Sequence, residues 1–294
     1  MAGLKIDTKH TIYIIGGPTA SGKSARALEL ALAHNGVVIN CDSMQIYEGL
    51  PKLTAQPPEE DLTQAPHELY SHLHPNETCS AGNWREIVEP LIRKVIEQGK
   101  TPIIVGGSGL YIKALTEGLS PMPDIPQEVR DVTVAKQKEL GNPGFYEALH
   151  KRDPEMAQRF HPFHTARLMR AWEVLEATGV SLARWQEKER IAPPENWHFE
   201  KEVIIPERPV LHERCNARFL MMLDNGALEE VEAFNKRVEE GEVHNNVPLL
   251  KALGYPQLVA YIKGRMSKDD AIEQAQARTR QYAKQQITWF RNQY

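Results

Sequence analysis

The chain has 294 residues, a formal net charge of −4, and ordinary shares of apolar (41%) and charged (25%) residues. That length suits one large α/β domain, or a core with a smaller insert. The composition excludes a disordered or fibrous chain, and the acidic average means that any RNA site must be a local basic surface.

Residues 11–15, Thr-Ile-Tyr-Ile-Ile, read as a buried strand that Gly16, Gly17 and Pro18 break. A helix over 24–33 follows, with Ala27, Leu28 and Ala31 on its apolar face, and ends near Asn35 and Gly36. Residues 37–39 form a second strand. Residues 84–98 form a helix with Ile87, Leu91 and Val95 on one stripe and Gly99 as its stop. Residues 102–105 make a third strand entering Gly106 and Gly107. Strands this apolar, alternating with helices, predict a parallel sheet covered on both faces, so the fold class is α/β.

The texture changes after Gly118, where Pro121, Pro123 and Pro126 mark a connector. From residue 127 to about 186 only helical patterns occur, over 127–140, 144–150, 154–160 and 165–177, the last carrying Leu168, Ala171, Trp172 and Leu175 at helical spacing. Pro193 and Pro194 end this block, and residues 203–205 read as a fourth core strand. The expected organisation is therefore a core begun by 1–120, a helical insert over 121–198, and a core completed by 199–294 with helices over 208–223, 226–239, 255–263 and 268–290.

Cys41, Cys79 and Cys215 are far apart, with no CxxC pair. This argues against structural zinc and a disulfide framework and fits a reducing compartment. No signal-peptide pattern and no membrane-spanning run is seen, so a cytoplasmic location away from membranes is expected. His72 with His74, and His161 with His164, form no supported metal set. The acidic stretch from Glu229 to Glu242 reads as a solvated helix face.

Gly17, Pro18, Thr19, Ala20, Ser21, Gly22, Lys23 and Ser24 match G-x-x-x-x-G-K-[ST] in full, between a strand and a helix, which is the context the motif requires. Such a loop wraps so that backbone N–H groups converge on phosphate oxygens, and the following helix adds its positive end. Lys23 supplies a cation and Ser24 can hold Mg²⁺. The pattern specifies a diphosphate or triphosphate and leaves its chemistry open. Asp42 ends the second strand, at the edge where open parallel sheets bind ligands. From pattern alone it reads as an N-cap or turn aspartate as readily as a functional carboxylate, either a magnesium ligand or a general base. Ser108, in Gly106-Gly107-Ser108-Gly109, ends the third strand in the same way, either at a tight turn or at the active face. The tail from Gln276 carries Arg278, Arg280, Lys284 and Arg291 with Tyr282, Trp289 and Phe290 interleaved, a stripe that can track phosphates and stack bases unless the aromatics are buried.

Together these residues resemble the bacterial tRNA dimethylallyltransferase (tRNA isopentenyltransferase) family. The resemblance runs through the phosphate loop, Asp42-Ser43-Met44-Gln45-Ile46-Tyr47, Thr54, Ala55 and Pro57, Gly106 to Tyr111, Arg214 and Arg218 with Met222, Gly254 and Tyr255, and Thr279 to Phe290. Departures are Ser108 in place of threonine, Leu50 to Leu53 in place of a glycine-containing segment, Gln56 in place of lysine, and Gln285-Gln286 without an arginine. The resemblance implies a P-loop NTPase-like core with an inserted all-helical domain that clasps the tRNA anticodon stem-loop, in a monomer. It implies dimethylallyl diphosphate in the phosphate loop with Mg²⁺ on Ser24, catalysis by Asp42, Arg218, Thr19 and Ser108, and RNA contacts from Asp42, Ser43, Met44, Gln45, Arg167, Arg170, Arg214, Gly254, Tyr255, Arg278, Arg280 and Lys284. On spacing alone, Arg214 and Arg218 read as solvated arginines or an ion pair with Glu213, and only the resemblance moves them to the site. The rivals are a prenyltransferase acting on free AMP or ADP, a P-loop small-molecule kinase, and a non-enzymatic RNA-binding protein.

Overall fold

The computed structural model describes residues 9–293. The first eight residues of the expected 1–120 segment and the last of 199–294 lie outside them. In chain order the elements are β1 (His10–Gly16), α1 (Lys23–Ala33), β2 (Gly36–Asn40), α2 (Glu59–Gln64), β3 (His67–Glu68), α3 (Ala81–Glu97), β4 (Thr101–Gly106), α4 (Gly109–Glu117), α5 (Gln127–Arg152), α6 (Pro154–Gln158), α7 (Thr165–Thr178), α8 (Leu182–Gln186), β5 (Trp197–Val203), α9 (Arg208–Asp224), α10 (Ala227–Glu239), a 3₁₀ turn (Pro248–Lys251), α11 (Tyr255–Ile262) and α12 (Lys268–Gln293). The chain divides into two compact units, one running to Thr116 and resuming at Pro193, the other Glu117–Ala192.

The first unit is built on a five-stranded sheet in the order β3-β2-β4-β1-β5, with every pairing parallel. Ile12, Ile14, Ile15, Ile39, Ile103 and Ile104 are all at most 1% exposed. Each such side chain stabilises the fold by roughly 1.5–3 kcal/mol. Helix α1 lays Ala27, Leu30 and Ala31 on Val38, Ile103 and Val105, and its two alanines let it approach closely. Helix α3 starts earlier than its apolar pattern suggests because Ser80 and Asn83 form a capping box. Its buried stripe is Trp84, Val88, Ile92 and Val95, rotated from the expected Ile87 and Leu91.

The fourth long strand is not 203–205. Strand β5 covers Trp197–Val203, so its first residues fall inside the segment expected to be helical insert, 121–198. It is an edge strand bonded only to β1, and its outward positions are polar: His198, Glu200 and Glu202. It therefore lacks the unbroken apolar run that marked the central strands. Ile204 follows as a continuation whose N–H still bonds Gly16 O (2.9 Å).

The second unit is helical. Helix α5 is interrupted at Gly141 (φ 63°), where the expected helices 127–140 and 144–150 meet. Asp153 caps α6 through Met156 N (3.1 Å). This unit has its own core of Phe145, Leu149, Met156, Leu168 and Trp172. The Phe145 and Trp172 rings lie 5.2 Å apart, and the Arg152 guanidinium sits 4.6 Å from the Trp172 ring centre.

Candidate active site

Parallel pairing brings the C-terminal ends of the central strands side by side, with Gly16 opposite Gly106 and Asn40 opposite Val105. The loop after β1 turns into α1 at Gly22, whose φ of 97° suits glycine. Ala20 holds φ 61°, a local strain of the kind that collects at ligand-binding loops. Lys23 Nζ donates to Pro18 O (3.0 Å). Gln286, buried on α12, ties two loops together: its Oε1 accepts from Thr19 N (2.8 Å) and its Nε2 donates to Gly107 O (3.1 Å).

Above this framework opens a cleft of about 1050 Å³, counting its solvent-filled mouth, and Thr19, Lys23, Ser24, Asp42, Arg218 and Tyr282 line it. Arg218 Nη1 donates to Thr19 Oγ1 (2.9 Å). Burial, then Arg218, pushes the Lys23 ammonium down to about 8 against the opposing pull of Asp42 and Cys215. Burial also lowers Arg218, while Asp42 and Cys215 hold it up. Two cations therefore share one carboxylate in a poorly solvated place, which is the electrostatics of a site waiting for an anion. Burial and then Asp42 push the Tyr282 phenol up to about 12, so it stays protonated.

Asp42 is positioned from below. Asn40, fully buried at the end of β2, accepts from Asp42 N through Oδ1 (2.8 Å) and donates through Nδ2 to Asp42 O (3.1 Å) and Leu69 O (3.0 Å). Trp84 Nε1 in turn donates to Asn40 O (3.1 Å). The Asp42 carboxylate also caps its own turn, with Oδ1 accepting from Met44 N (2.9 Å). The turn reading and the active-face reading thus describe the same residue.

Of the residues singled out from sequence, Thr19, Lys23, Ser24, Asp42, Met44, Gln45 and Arg218 line the cleft together. Gly17, Pro18, Ala20, Ser21 and Gly22 form the loop beside it. Ser108 acts beneath the aspartate segment, its Oγ accepting from Ser43 N (3.0 Å). Arg214 is exposed and reaches Ser21 O at 3.5 Å, with no bridge to Glu213 among the described residues. Gly254 (φ 92°) and Tyr255 pack inward: a Cβ on Gly254 would stand 2.6 Å from the Phe219 ring, and Tyr255 is 5% exposed. On α12, Arg278 and Lys284 are exposed, whereas Arg280 is tied to Asn216 Oδ1 (2.6 Å). The tail's last aromatics are structural. Phe290 is buried against Gly16 and Trp289 lies on Gly109, so of these three tail aromatics Tyr282 lines the cleft. In the helical unit, Arg167 on α7 is exposed and Arg170 lies 3.7 Å from Glu173.

Sequence reasoning missed Asn40 and Gln286 as organisers of the site. Asn40 carried a usable signal, a polar residue closing an apolar strand. Gln286 carried none, because its partners are distant in sequence. Among the described residues no group of three or more His, Cys, Asp or Glu could hold a metal, no helix is long and apolar enough to cross a membrane, and Cys41, Cys79 and Cys215 are free thiols.

The sequence pattern of the IPP transferase family matches residues 45–293. The tRNA dimethylallyltransferase of Rhodospirillum centenum is 45% identical over 96% of this chain and 88% of its own length. That of Paramagnetospirillum magneticum is 46% identical over 97% and 89%. Among solved structures, the tRNA isopentenylpyrophosphate transferase of Staphylococcus epidermidis superposes with a TM-score of 0.64 at 34% identity, covering 97% of this chain and 91% of that one. A eukaryotic dimethylallyltransferase acting on tRNA reaches a TM-score of 0.77 at 26% identity, over 95% of this chain and 69% of its own. With the family pattern matched over residues 45–293 and relatives 45–46% identical along nearly its whole length, the chain belongs to the IPP transferase family.

Proposed function

We propose that this enzyme transfers the dimethylallyl group of dimethylallyl diphosphate to N6 of the adenosine 3′ of the anticodon in tRNA, releasing diphosphate. The observation that carries the reading is the pairing, across one cleft, of a cationic phosphate loop (Lys23, Thr19, Arg218) with a carboxylate fixed from below (Asp42).

The loop and Lys23 bind the diphosphate, and Arg218 with Thr19 faces its leaving oxygen. As the allylic C–O bond breaks, positive charge grows on carbon and negative charge on the departing phosphates. Cations already in place lower that barrier without reorganising. The apolar wall of Phe219 and Met222 receives the five-carbon group. The adenine N6 lone pair forms the new C–N bond, and Asp42 takes the proton that N6 gives up. Ser108 Oγ, already accepting from Ser43 N, keeps its own proton to offer a phosphate oxygen.

Ser24 and Asp42 place hard oxygen donors on the cleft, and among the described residues nothing builds an all-protein cage, which fits an ion such as Mg²⁺ held by one or two protein oxygens and the substrate phosphates. Magnesium held there would neutralise charge on the leaving group. RNA contacts fall to Met44, Gln45, Arg214, Arg278 and Lys284 around the cleft, and to Arg167 and Arg170 on the helical unit, which we assign to clasping the anticodon stem. Free thiols suit a reducing cytoplasm, and one chain carries every group used, so we assign the activity to a cytoplasmic monomer.

The test is purified protein with dimethylallyl diphosphate, Mg²⁺ and either an anticodon stem-loop or AMP. Prenylated adenosine in the stem-loop is expected, and product on AMP alone would refute the RNA assignment. Asp42→Ala should lower kcat by roughly 10²–10⁴ while RNA binding persists. Loss of RNA binding with normal turnover per bound RNA would remove Asp42 from the role of base.

A further inference from the structure

The acidic stretch 229–242 reads from sequence as a solvated face, yet one of its carboxylates is committed to the cleft wall. Glu230, on the first turn of α10, accepts from Lys52 N through Oε1 (2.8 Å) and from Leu53 N through Oε2 (2.9 Å). Burial raises its pKa, while those two amides and Lys52 pull it down. A carboxylate spending both oxygens on consecutive backbone N–H groups is a clamp, and charge-assisted bonds of this kind are about twice as strong as neutral ones.

The clamped turn forms the wall beside Asp42. Thr54 N and Thr54 Oγ1 both donate to Leu50 O (3.0 and 2.7 Å), and Ala55 N donates to Lys52 O (3.0 Å). Ala55 sits at φ 53°, a conformation that an L-residue keeps only when its surroundings enforce it. The far end of the turn holds Gln45, whose Nε2 donates to Thr54 O (2.9 Å) and Ala55 O (2.8 Å). Both amide protons of Gln45 are thereby used. Its side chain is oriented with Oε1 as the remaining group, a pure acceptor beside Asp42 in the cleft. An acceptor there suits a base bearing an exocyclic amine.

We propose that Glu230 is a positioning residue for RNA selection: by fixing the turn at Lys52 and Leu53 it holds the Thr54 and Ala55 carbonyls that orient the Gln45 acceptor toward the target base. This rests on the reading of the cleft as an RNA prenylation site. Glu230 touches neither donor nor base. The clamp supplies from α10 a restraint on the turn from Leu50 to Leu53.

The experiment is a double-mutant cycle on the full-length enzyme with Glu230→Gln, Gln45→Ala and the pair, reading KM and kcat for an anticodon stem-loop and Kd for dimethylallyl diphosphate. Glu230→Gln should raise the stem-loop KM about tenfold, with kcat and donor Kd within about twofold, because one oriented hydrogen bond to RNA is weakened. In the Gln45→Ala background the same change should cost less than about twofold, since there is no acceptor left to misplace. If Glu230→Gln lowers the melting temperature by more than a few degrees, Glu230→Asp replaces it; this variant keeps the charge but falls one methylene short of the amides, and the same pattern is expected. A full tenfold cost without Gln45, an unchanged KM, or a matching rise in donor Kd would overturn the proposal. The wild-type control separates the two levels: a wild-type enzyme that prenylates the stem-loop while the cycle is additive sinks only the role of Glu230, and a wild-type enzyme that leaves the stem-loop unmodified sinks the RNA reading and this inference with it.

Discussion

Lys23 shows how a single side chain trades stability for binding. Its pKa of about 8 lies below the ordinary 10.5, so the folded protein prefers its neutral form. At pH 7 the charged lysine therefore costs stability. The cost is fully present below pH 8 and fades as the pH climbs from 8 towards 10.5, where the unfolded chain also loses its proton. Lys23→Met should accordingly raise the melting temperature of the ligand-free enzyme by a few degrees at pH 7 and by less at pH 9.5, while donor affinity falls at least about tenfold. Thermal melts at both pH values and calorimetric titration with dimethylallyl diphosphate check this. In the wild type the donor must bring Lys23 back to its charged form, so affinity should weaken by up to about tenfold per pH unit above 8. Lys23 and its loop were legible from sequence because the motif encodes a local backbone shape. The depressed pKa was not, since it arises first from burial and then from Arg218, which lies far along the chain.

At the scale of elements, the strands and helices that were legible are those whose environment is uniform along their length. Strands β1, β2 and β4 lie in the middle of the sheet, and every residue of β2 is buried, so their apolar runs announce them. Strand β5 at the edge and the two-residue β3 have no such signature. Helix α12 was legible as a helix, but the division of its faces was not. One face carries Arg278 and Lys284 outward, and the other buries Ala283, Gln286 and Phe290 as the brace of the phosphate loop. Gln286→Leu leaves Thr19 N and Gly107 O without their partner and should cost about 2–4 kcal/mol in urea melts, with a rise in donor KM. Gln286→Glu keeps an acceptor for Thr19 N but sets a negative charge beside the loop. It should lose less stability than the leucine variant and more donor affinity, and the opposite ranking would refute the brace.

For the molecule as a whole, a net charge of −4 is compatible with RNA binding only if cations are concentrated where the phosphates run. Under the proposed function, exposed Arg167 on α7 and Arg278 on α12 would be such cations. Arg167→Ala should weaken stem-loop binding equally for all sequences and flatten the salt dependence by roughly one counterion. Arg170→Ala should do so less, because Glu173 already offsets part of its charge. Filter binding across a salt series measures both, and a sequence-dependent loss would assign these residues to base reading instead. The texture of the sequence changes near Gly118, beside the division between Thr116 and Glu117. At the other division Pro193 and Pro194 end the helical pattern, but the strand after them was not legible, because its outward residues are as polar as those of a surface helix.

The Gln286 brace also bears on how the protein is made. Thr19 leaves the ribosome early, and the partner that holds its amide is added 267 residues later. A nascent chain can assemble much of the sheet long before its phosphate cradle has a fixed shape, and closing so long a loop is among the slow steps of folding. Competence to take up the donor is therefore a late event in synthesis, and partly translated chains should not compete for the metabolite.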